Sequence, residues 1–184
     1  MAASQTIGSD QIHAAIARLG EAISARHGAT DRLLFLGIAN GGIELARRIA
    51  TAAHARSGTI DISFHRDDIG RNPIPKEFSP TIIPHDVNGA TVILVDDVLY
   101  SGRTVKAALD ELFDHGRPAS VELAVLVDRG GRLLPVAATY TGLTLVAGDT
   151  EKVKVRLDPA APARDTLLTE SAAKSKSPRL NPVT

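Results

Sequence analysis

The chain has 184 residues, the size of one ordinary domain, and 43% of them are apolar, enough to bury one core. It contains no cysteine, which excludes disulfides, cysteine-ligated metals and a thiol nucleophile, and its 21 basic residues balance 21 acidic ones. Zero net charge and 3% aromatic residues argue against a protein built mainly to bind nucleic acid. The lack of an apolar run of about 18 residues predicts a soluble, cytoplasmic protein.

The first half of the chain alternates helical and strand-like patterns. Apolar residues recur at helical spacing over residues 12–23, and Ser9 with Asp10 suits the N-cap and first turn of that helix. Residues 33–38 form a continuous apolar run typical of a strand buried on both faces, and a second helical pattern starts at Ile43. The turn between this strand and this helix consists of Ala39, Asn40, Gly41 and Gly42.

The middle of the chain contains a proline-rich segment without periodicity. Ile60, Ile62 and Phe64 alternate with polar residues, which predicts a half-buried strand. Residues 68–85 then carry four prolines and show neither the helical nor the strand periodicity of apolar residues. Loops of this length inside a compact domain are usually functional. We expect a lid over a binding site here; the alternative is an insertion without a role.

The second half predicts two further buried strands and the helix between them. Residues 91–95 and 121–127 are apolar runs, and residues 104–113 show helical spacing. Shorter β-like pieces, with Gly142 as a turn between the first two, follow at 137–140, 143–146 and 153–157. Strands that alternate with helices predict an α/β fold with a central, mostly parallel sheet, whose ligands bind at the carboxyl ends of the strands.

The composition changes beyond Asp158. The stretches PAAPAR and SAAKSKSPRLNPVT are poor in large apolar residues, so burial cannot offset the entropy of ordering them. We therefore predict one domain over residues 1–158 and a disordered tail over residues 159–184.

The segment VILVDDVLYSGRT, residues 92–104, carries the clearest chemistry. Asp96 and Asp97 come just past a buried strand, where carboxylates can accept hydrogen bonds from sugar hydroxyls or, more weakly, help to hold Mg²⁺. Ser101 and Thr104 flank the start of a helix, where hydroxyls and free N–H groups bind phosphate. Together they predict a ribose 5-phosphate site; the alternative is a strand end followed by an ordinary helix cap.

This segment resembles the signature with which type I phosphoribosyltransferases bind 5-phosphoribosyl-1-diphosphate (PRPP). The stretches IDISFHRDDI, VILVDDVLYSGRTVKAALDEL, GRPASVELAVLVDRGGRLLPV and EKVKVRL resemble, in this order, segments of the PyrR family, pyrimidine operon attenuators that are also uracil phosphoribosyltransferases. The similarity covers residues 12–157. It implies a type I phosphoribosyltransferase fold with a long flexible loop, and a reaction in which uracil displaces pyrophosphate from PRPP, with Mg²⁺, to give UMP.

The resemblance also implies roles for single residues. Asp96 and Asp97 would hold the ribose hydroxyls and, indirectly, Mg²⁺. Arg66 would act with them, at the start of a closing segment over residues 66–85, and Asp128 with Arg129 would lie beside the uracil pocket. The other substrate-binding positions belong to the pyrophosphate turn and the 5-phosphate loop: Ala39, Asn40, Gly41, Gly42, Val98, Leu99, Tyr100, Ser101, Gly102, Arg103 and Thr104.

Two positions depart from the family pattern. The pyrophosphate loop of well-studied PyrR proteins carries Lys-Thr-Arg before its last glycine, whereas this chain has Ala39, Asn40 and Gly41 before Gly42. Two cations are therefore missing, and we expect slower turnover or weaker PRPP binding. Gly131 stands where the family usually has a histidine associated with its RNA-binding face.

A second function implied by the resemblance is UMP-responsive control of pyrimidine genes through their RNA leader. Candidate RNA-face residues are Arg18, Arg26, Arg129 and Arg132, but zero net charge and Gly131 favour the enzyme. A third reading is a nucleotide-binding protein that has lost catalysis. The family suggests a homodimer or homotetramer, and the spacing of the six histidines predicts no zinc site.

Overall fold

Helices and strands alternate along most of the chain. The computed structural model describes residues 6–28, 30, 32–65, 80–148 and 150–171. In chain order the elements are β1 (Thr6–Ile7), α1 (Ser9–His27), β2 (Leu33–Ile38), α2 (Gly41–Ala52), β3 (Arg56–Ile60), β4 (Thr91–Leu99), α3 (Arg103–Asp114), β5 (Ser120–Asp128), β6 (Tyr140–Thr144), β7 (Glu151–Arg156), a short 3₁₀ turn (Pro162–Arg164) and β8 (Thr166–Ser171). Among these helices, none has the length and apolar character that crossing a membrane requires.

A five-stranded parallel sheet forms the centre, in the order β3-β2-β4-β5-β6. The apolar side chains of β2, β4 and β5 point to both faces and are buried, as the continuous apolar runs predict. Helices α1 and α2 cover one face in a cluster around Phe35, and α3 packs with the other face in a cluster around Leu94. The predicted α/β fold is confirmed.

A second, antiparallel sheet of three strands is formed by both ends of the described chain. Strand β8 lies between β1 and β7. The structure thus differs from the predicted disordered tail over residues 159–171, whereas 172–184 lie outside the described residues. The average composition of the segment hides two buried anchors, Leu167 and Asp165, which are 0% and 1% exposed.

Smaller differences concern the ends of elements. Strand β4 extends to Leu99, so Asp96 and Asp97 lie within it rather than past it. Strand β3 ends at Ile60, and Phe64, predicted to be part of it, is exposed. The prediction of a turn at Gly142 is wrong, because this glycine lies inside β6.

The start of α1 also differs from the prediction. Its N-cap is Gly8 rather than Ser9, which is the first residue of the helix. The cap makes no side-chain hydrogen bond, so α1 depends on its buried face, from Ile12 to Ile23, rather than on a polar cap.

Candidate active site

The carboxyl ends of β2, β4 and β5 meet at one edge of the central sheet. Because the strands are parallel and in register, the turn after β2, the segment after β4 and the loop after β5 converge there. The structure thereby brings together residues 39–42, 96–104 and 128–129, which are all of the predicted site positions except Arg66. Arg66 and residues 67–79 of the predicted lid lie outside the described residues.

Asp96 and Asp97 form an acidic pair on β4. Asp96 is 6% exposed, and its Oδ1 accepts a hydrogen bond from the Asp97 backbone N–H at 3.0 Å. Burial, together with the charge of Asp97, raises the pKa of Asp96 well above its ordinary value. Burial also raises the pKa of Asp97. A ligand that brings hydroxyl donors or positive charge stabilises the charged form of such a pair. A sugar diphosphate with its cation is a ligand of this kind.

The turn after β2 lies against this acidic pair. A side chain at Gly41 would place Cβ 2.5 Å from the Asp97 Cγ, and one at Gly42 would place it 2.0 Å from the Val95 backbone oxygen. Only glycine allows this approach of α2 to β4. The peptide bond between Ala39 and Asn40 is cis, and the Ala39 N–H donates to the Ile60 oxygen at 3.0 Å.

Residues 101–104 form the loop that leads into α3. Gly102, the N-cap of this helix, has φ 90°, a left-handed conformation that favours glycine. Glycine offers α3 no side-chain cap, so N–H groups of the first turn beyond that of Arg103 can face a ligand. The Arg103 N–H donates to the Ser101 hydroxyl at 3.3 Å. This geometry suits a phosphate group.

The loop after β5 carries Asp128 and Arg129. Arg129 is 7% exposed, and its two terminal nitrogens donate to the backbone oxygens of Glu151 and Gly148, at 2.7 and 3.0 Å. Its guanidinium stacks on the Tyr100 ring, 4.1 Å from the centroid. Arg129 thus joins the candidate site to the start of β7, and its Nε is buried without a partner among the described residues.

Gly131 packs against the other part of the same ring. With φ 74°, it places the position of an absent Cβ 2.4 Å from the Tyr100 Cε2. Tyr100 therefore lies between Arg129 and Gly131, and a histidine at position 131 would displace the ring.

Arg132 has a role in the site that sequence reasoning missed. It was considered for an RNA-binding face, but its guanidinium pairs with Asp128 and donates to the backbone oxygens of Tyr100 and Val136, at 2.9 and 3.1 Å. Strand ends leave carbonyl groups without a partner, and a five-donor guanidinium can satisfy several of them at once. Arg132 therefore ties the segment after β4 to the loop after β5.

The other three arginines of the suggested RNA face are engaged as well. Arg18 donates to the Gly142 oxygen at 3.1 Å, and Arg26 pairs with Glu122 at 3.0 Å. Arg129 is buried. Arg129 and Arg132 are therefore committed to internal contacts, whereas Arg18 and Arg26 stay exposed, and an RNA-binding face stays a prediction.

Part of the predicted lid is held in place. The N–H and C=O groups of Ile82 bond to those of Thr59, at 2.8 and 2.9 Å, so that residues near 82 lie along the edge of β3. The Asp61 N–H also donates to the Thr81 hydroxyl at 2.9 Å. Of the predicted lid, residues 81 and 82 are thus attached to β3 and the segment after it, and residues 68–79 lie outside the described residues.

The acidic pair also offers the type of ligand that Mg²⁺ prefers. Mg²⁺ binds carboxylate oxygens, water and substrate phosphates. Asp96 and Asp97 are carboxylates on one edge, and the strongest charge acting on Asp96 is its acidic neighbour rather than a cation. The residues present therefore fit a cation that arrives with a diphosphate.

Comparison with known proteins supports one family. The family model of the phosphoribosyl transferase domain matches residues 8–159. The bifunctional protein PyrR of Chloroflexus aurantiacus is 43% identical over 160 residues, covering 83% of this chain and 87% of its own. The bifunctional protein PyrR of Streptomyces coelicolor is 44% identical over 174 residues, covering 91% and 88%.

Solved structures agree on the fold. A hypoxanthine-guanine phosphoribosyltransferase from Bacillus anthracis superposes with a TM-score of 0.63 at 19% identity, covering 77% of this chain and 84% of its own. The hypoxanthine phosphoribosyltransferase of Trypanosoma cruzi gives 0.63 at 18% identity, covering 89% and 94%. At this identity the likeness shows the fold alone, whereas the sequence matches show the family. The chain therefore belongs to the phosphoribosyltransferases of type I and, among them, to the PyrR family.

Proposed function

We propose that the protein is a uracil phosphoribosyltransferase that forms UMP and diphosphate from uracil and PRPP. One observation carries the proposal: an acidic pair, buried Asp96 and half-buried Asp97, lies between a glycine turn and a helix start whose N-cap is glycine, at one sheet edge. Ribose hydroxyls, diphosphate and 5-phosphate need these three partners in this arrangement. The match to PyrR proteins over most of the chain supports the choice of uracil.

The reaction forms a bond between uracil N1 and ribose C1 and breaks the bond from C1 to the diphosphate, while the N1 proton is released. Positive charge develops on the sugar, and the carboxylates of Asp96 and Asp97 stabilise it while accepting hydrogen bonds from the hydroxyls. The N–H groups at the start of α3 hold the 5-phosphate and fix the ribose in place. Mg²⁺, when bound with PRPP, neutralises charge on the leaving diphosphate.

The uracil end of the site is proposed to lie at the loop after β5. Asp128 is fixed there by Arg132 and by the Gly130 N–H, which donates to its Oδ1 at 2.9 Å. Arg129 holds Tyr100 beside it. This loop carries backbone groups of fixed position, which suits recognition of the edge of a pyrimidine ring.

The test is UMP formation from uracil, PRPP and Mg²⁺ by wild type and by Asp96→Asn/Asp97→Asn. Loss of electrostatic stabilisation predicts a fall in kcat of at least roughly 100-fold. The matched control is Asp110→Asn, which neutralises an exposed carboxylate on α3, paired with Lys106, and should keep wild-type turnover.

The same assay separates the alternatives. A folded wild type that binds UMP without making it would overturn the enzyme and leave a nucleotide-sensing protein. The relatives are named bifunctional proteins, which favours a regulatory role beside catalysis. We propose that this role is UMP-responsive binding of a pyrimidine-gene RNA leader. UMP-dependent retention of such an RNA by the purified protein tests it. A homodimer or homotetramer and a cytoplasmic location remain predictions.

A further inference from the structure

Four side chains with metal-binding chemistry meet at the end of α3. Glu111 and Asp114 lie in the last turn of this helix and His115 is its C-cap residue, so their spacing of three and four residues places them on one face. His65, which follows β3 in the chain, approaches this face from the side. Sequence spacing among the histidines gave no sign of it, because the fold brings together two segments, the turn after β3 and the end of α3.

Two carboxylates converge on a single nitrogen of His65. Its Nε2 lies 3.1 Å from Glu111 Oε2 and 3.4 Å from Asp114 Oδ2. One ligand atom from each of the three residues lies within 4.8 Å of the other two. A ring N–H can donate well to one acceptor, whereas a cation between the three atoms would satisfy all of them.

Glu111 is oriented so that one oxygen faces His65. Its other oxygen, Oε1, accepts a hydrogen bond from the Thr81 hydroxyl at 2.7 Å and lies 3.1 Å from His115 Nε2. Carboxylates that bind metals are commonly held by such outer hydrogen bonds. The Glu111 side chain is 16% exposed and that of His65 is 25% exposed, so both are partly shielded from water.

We propose that His65, Glu111 and Asp114 bind a transition-metal ion of the Zn²⁺ class, with water as the fourth ligand. Tetrahedral Zn²⁺ with nitrogen and carboxylate ligands sets its ligand atoms about 3.4 Å apart, close to the two measured separations. An imidazole with carboxylates suits Zn²⁺, and a site with an imidazole does not suit Mg²⁺, which takes oxygen ligands.

This site is separate from the candidate active site. Arg103, at the start of α3, and Glu111 are eight positions apart, which corresponds to about 12 Å along the helix. The ion would link α3 to the turn that carries His65 and to the segment that carries Thr81, because Glu111 contacts both residues. Loss of the cluster's side chains should therefore weaken binding of this ion and leave the acidic pair on β4 in place.

The experiment is a competition for Zn²⁺ between the metal-free full-length protein and a chromogenic chelator. We expect one equivalent bound to wild type, undiminished by excess Mg²⁺, and a loss of affinity of at least roughly tenfold in His65→Ala and in Glu111→Gln. The matched control is His54→Asn: His54 is exposed and has φ 52°, which asparagine tolerates, so this variant should bind as wild type does.

A second measurement does not depend on variants. Zn²⁺ should shift the ring signals of His65 and His115 in histidine NMR spectra of the wild type and leave those of His54 in place. The proposal is overturned if wild type binds no Zn²⁺ in the competition, if His65→Ala binds it as tightly, or if binding is lost only in Asp96→Asn/Asp97→Asn. The cluster is then a set of histidine and carboxylate ion pairs.

Discussion

Gly41 and Gly42 follow one another in the chain but face different neighbours. The space beside Gly41 is taken by the Asp97 carboxyl group, whereas that beside Gly42 is taken by the backbone of Val95 and Asp96. A side chain can turn aside, but a strand paired on both edges cannot. The same substitution should therefore have different effects at the two positions.

We expect Gly41→Ala to lower uracil phosphoribosyltransferase activity strongly and stability only slightly, because the added methyl group displaces the Asp97 side chain. Gly42→Ala should instead lower the free energy of unfolding by about 1–3 kcal/mol, since the clash is with backbone. Urea denaturation and UMP formation, measured on both variants, check this. Equal losses of stability in the two variants would contradict it.

At the scale of elements, one carboxylate joins the antiparallel sheet to α2. Asp165, just before β8, pairs with Arg48 of α2 and accepts the Asp158 N–H at 2.7 Å, and it lies 2.9 Å from His13 of α1. Its side chain is fully buried, and that of Arg48 is 12% exposed. Removing Asp165 leaves Arg48 its pair with Glu44, but it takes away the acceptor of the Asp158 N–H and of one Arg48 nitrogen.

Asp165→Ala should therefore destabilise the protein by at least about 2 kcal/mol, because buried donors lose their acceptor. The control is Glu170→Ala, which breaks the exposed pair with Lys154 on the same sheet and should cost at most about 1 kcal/mol. Denaturant titrations of both variants measure the two values. A cost for Asp165→Ala as small as that of the control would show that the antiparallel sheet is held by other contacts.

The same residue shows what could be predicted from sequence. Buried parallel strands and the acidic pair were predictable because their patterns are local: continuous apolar runs, and a carboxylate pair before a helix start. Asp165 and the histidine cluster were not, because their main partners lie far along the chain, and Arg132 was not, because its bonds depend on the shape of the loop after β5. The pairing of β8 with β1 joins segments about 160 residues apart, which no local pattern reports.

For the whole molecule, the candidate site has a cost in stability. The central sheet buries apolar side chains on both faces, and within this core β4 also carries Asp96, 6% exposed, next to a second carboxylate. The fold itself does not require an acid at this position, since Val125, which pairs with Asp96 on the neighbouring strand β5, is apolar. Such a cost is typical of functional sites.

The contribution of Asp96 to the stability of the protein should therefore fall as pH rises. Burial and the charge of Asp97 raise the pKa of Asp96, so the folded state holds this proton more tightly than the unfolded chain does. The contribution is complete below the unfolded pKa of about 4 and is lost as pH rises through the higher folded value.

Asp96→Asn removes this loss, so its Tm should exceed that of wild type at about pH 8 and approach it at about pH 4, where Asp96 is protonated in both states. Each kcal/mol relieved should raise Tm by about 2–4 °C for a protein of this size. Thermal unfolding is measured without Mg²⁺ or nucleotide, with Asp110→Asn as the exposed control. If the Tm curves of Asp96→Asn and wild type run parallel from acid to alkaline pH, Asp96 does not hold its proton in the folded protein, and the electrostatic cost lies elsewhere.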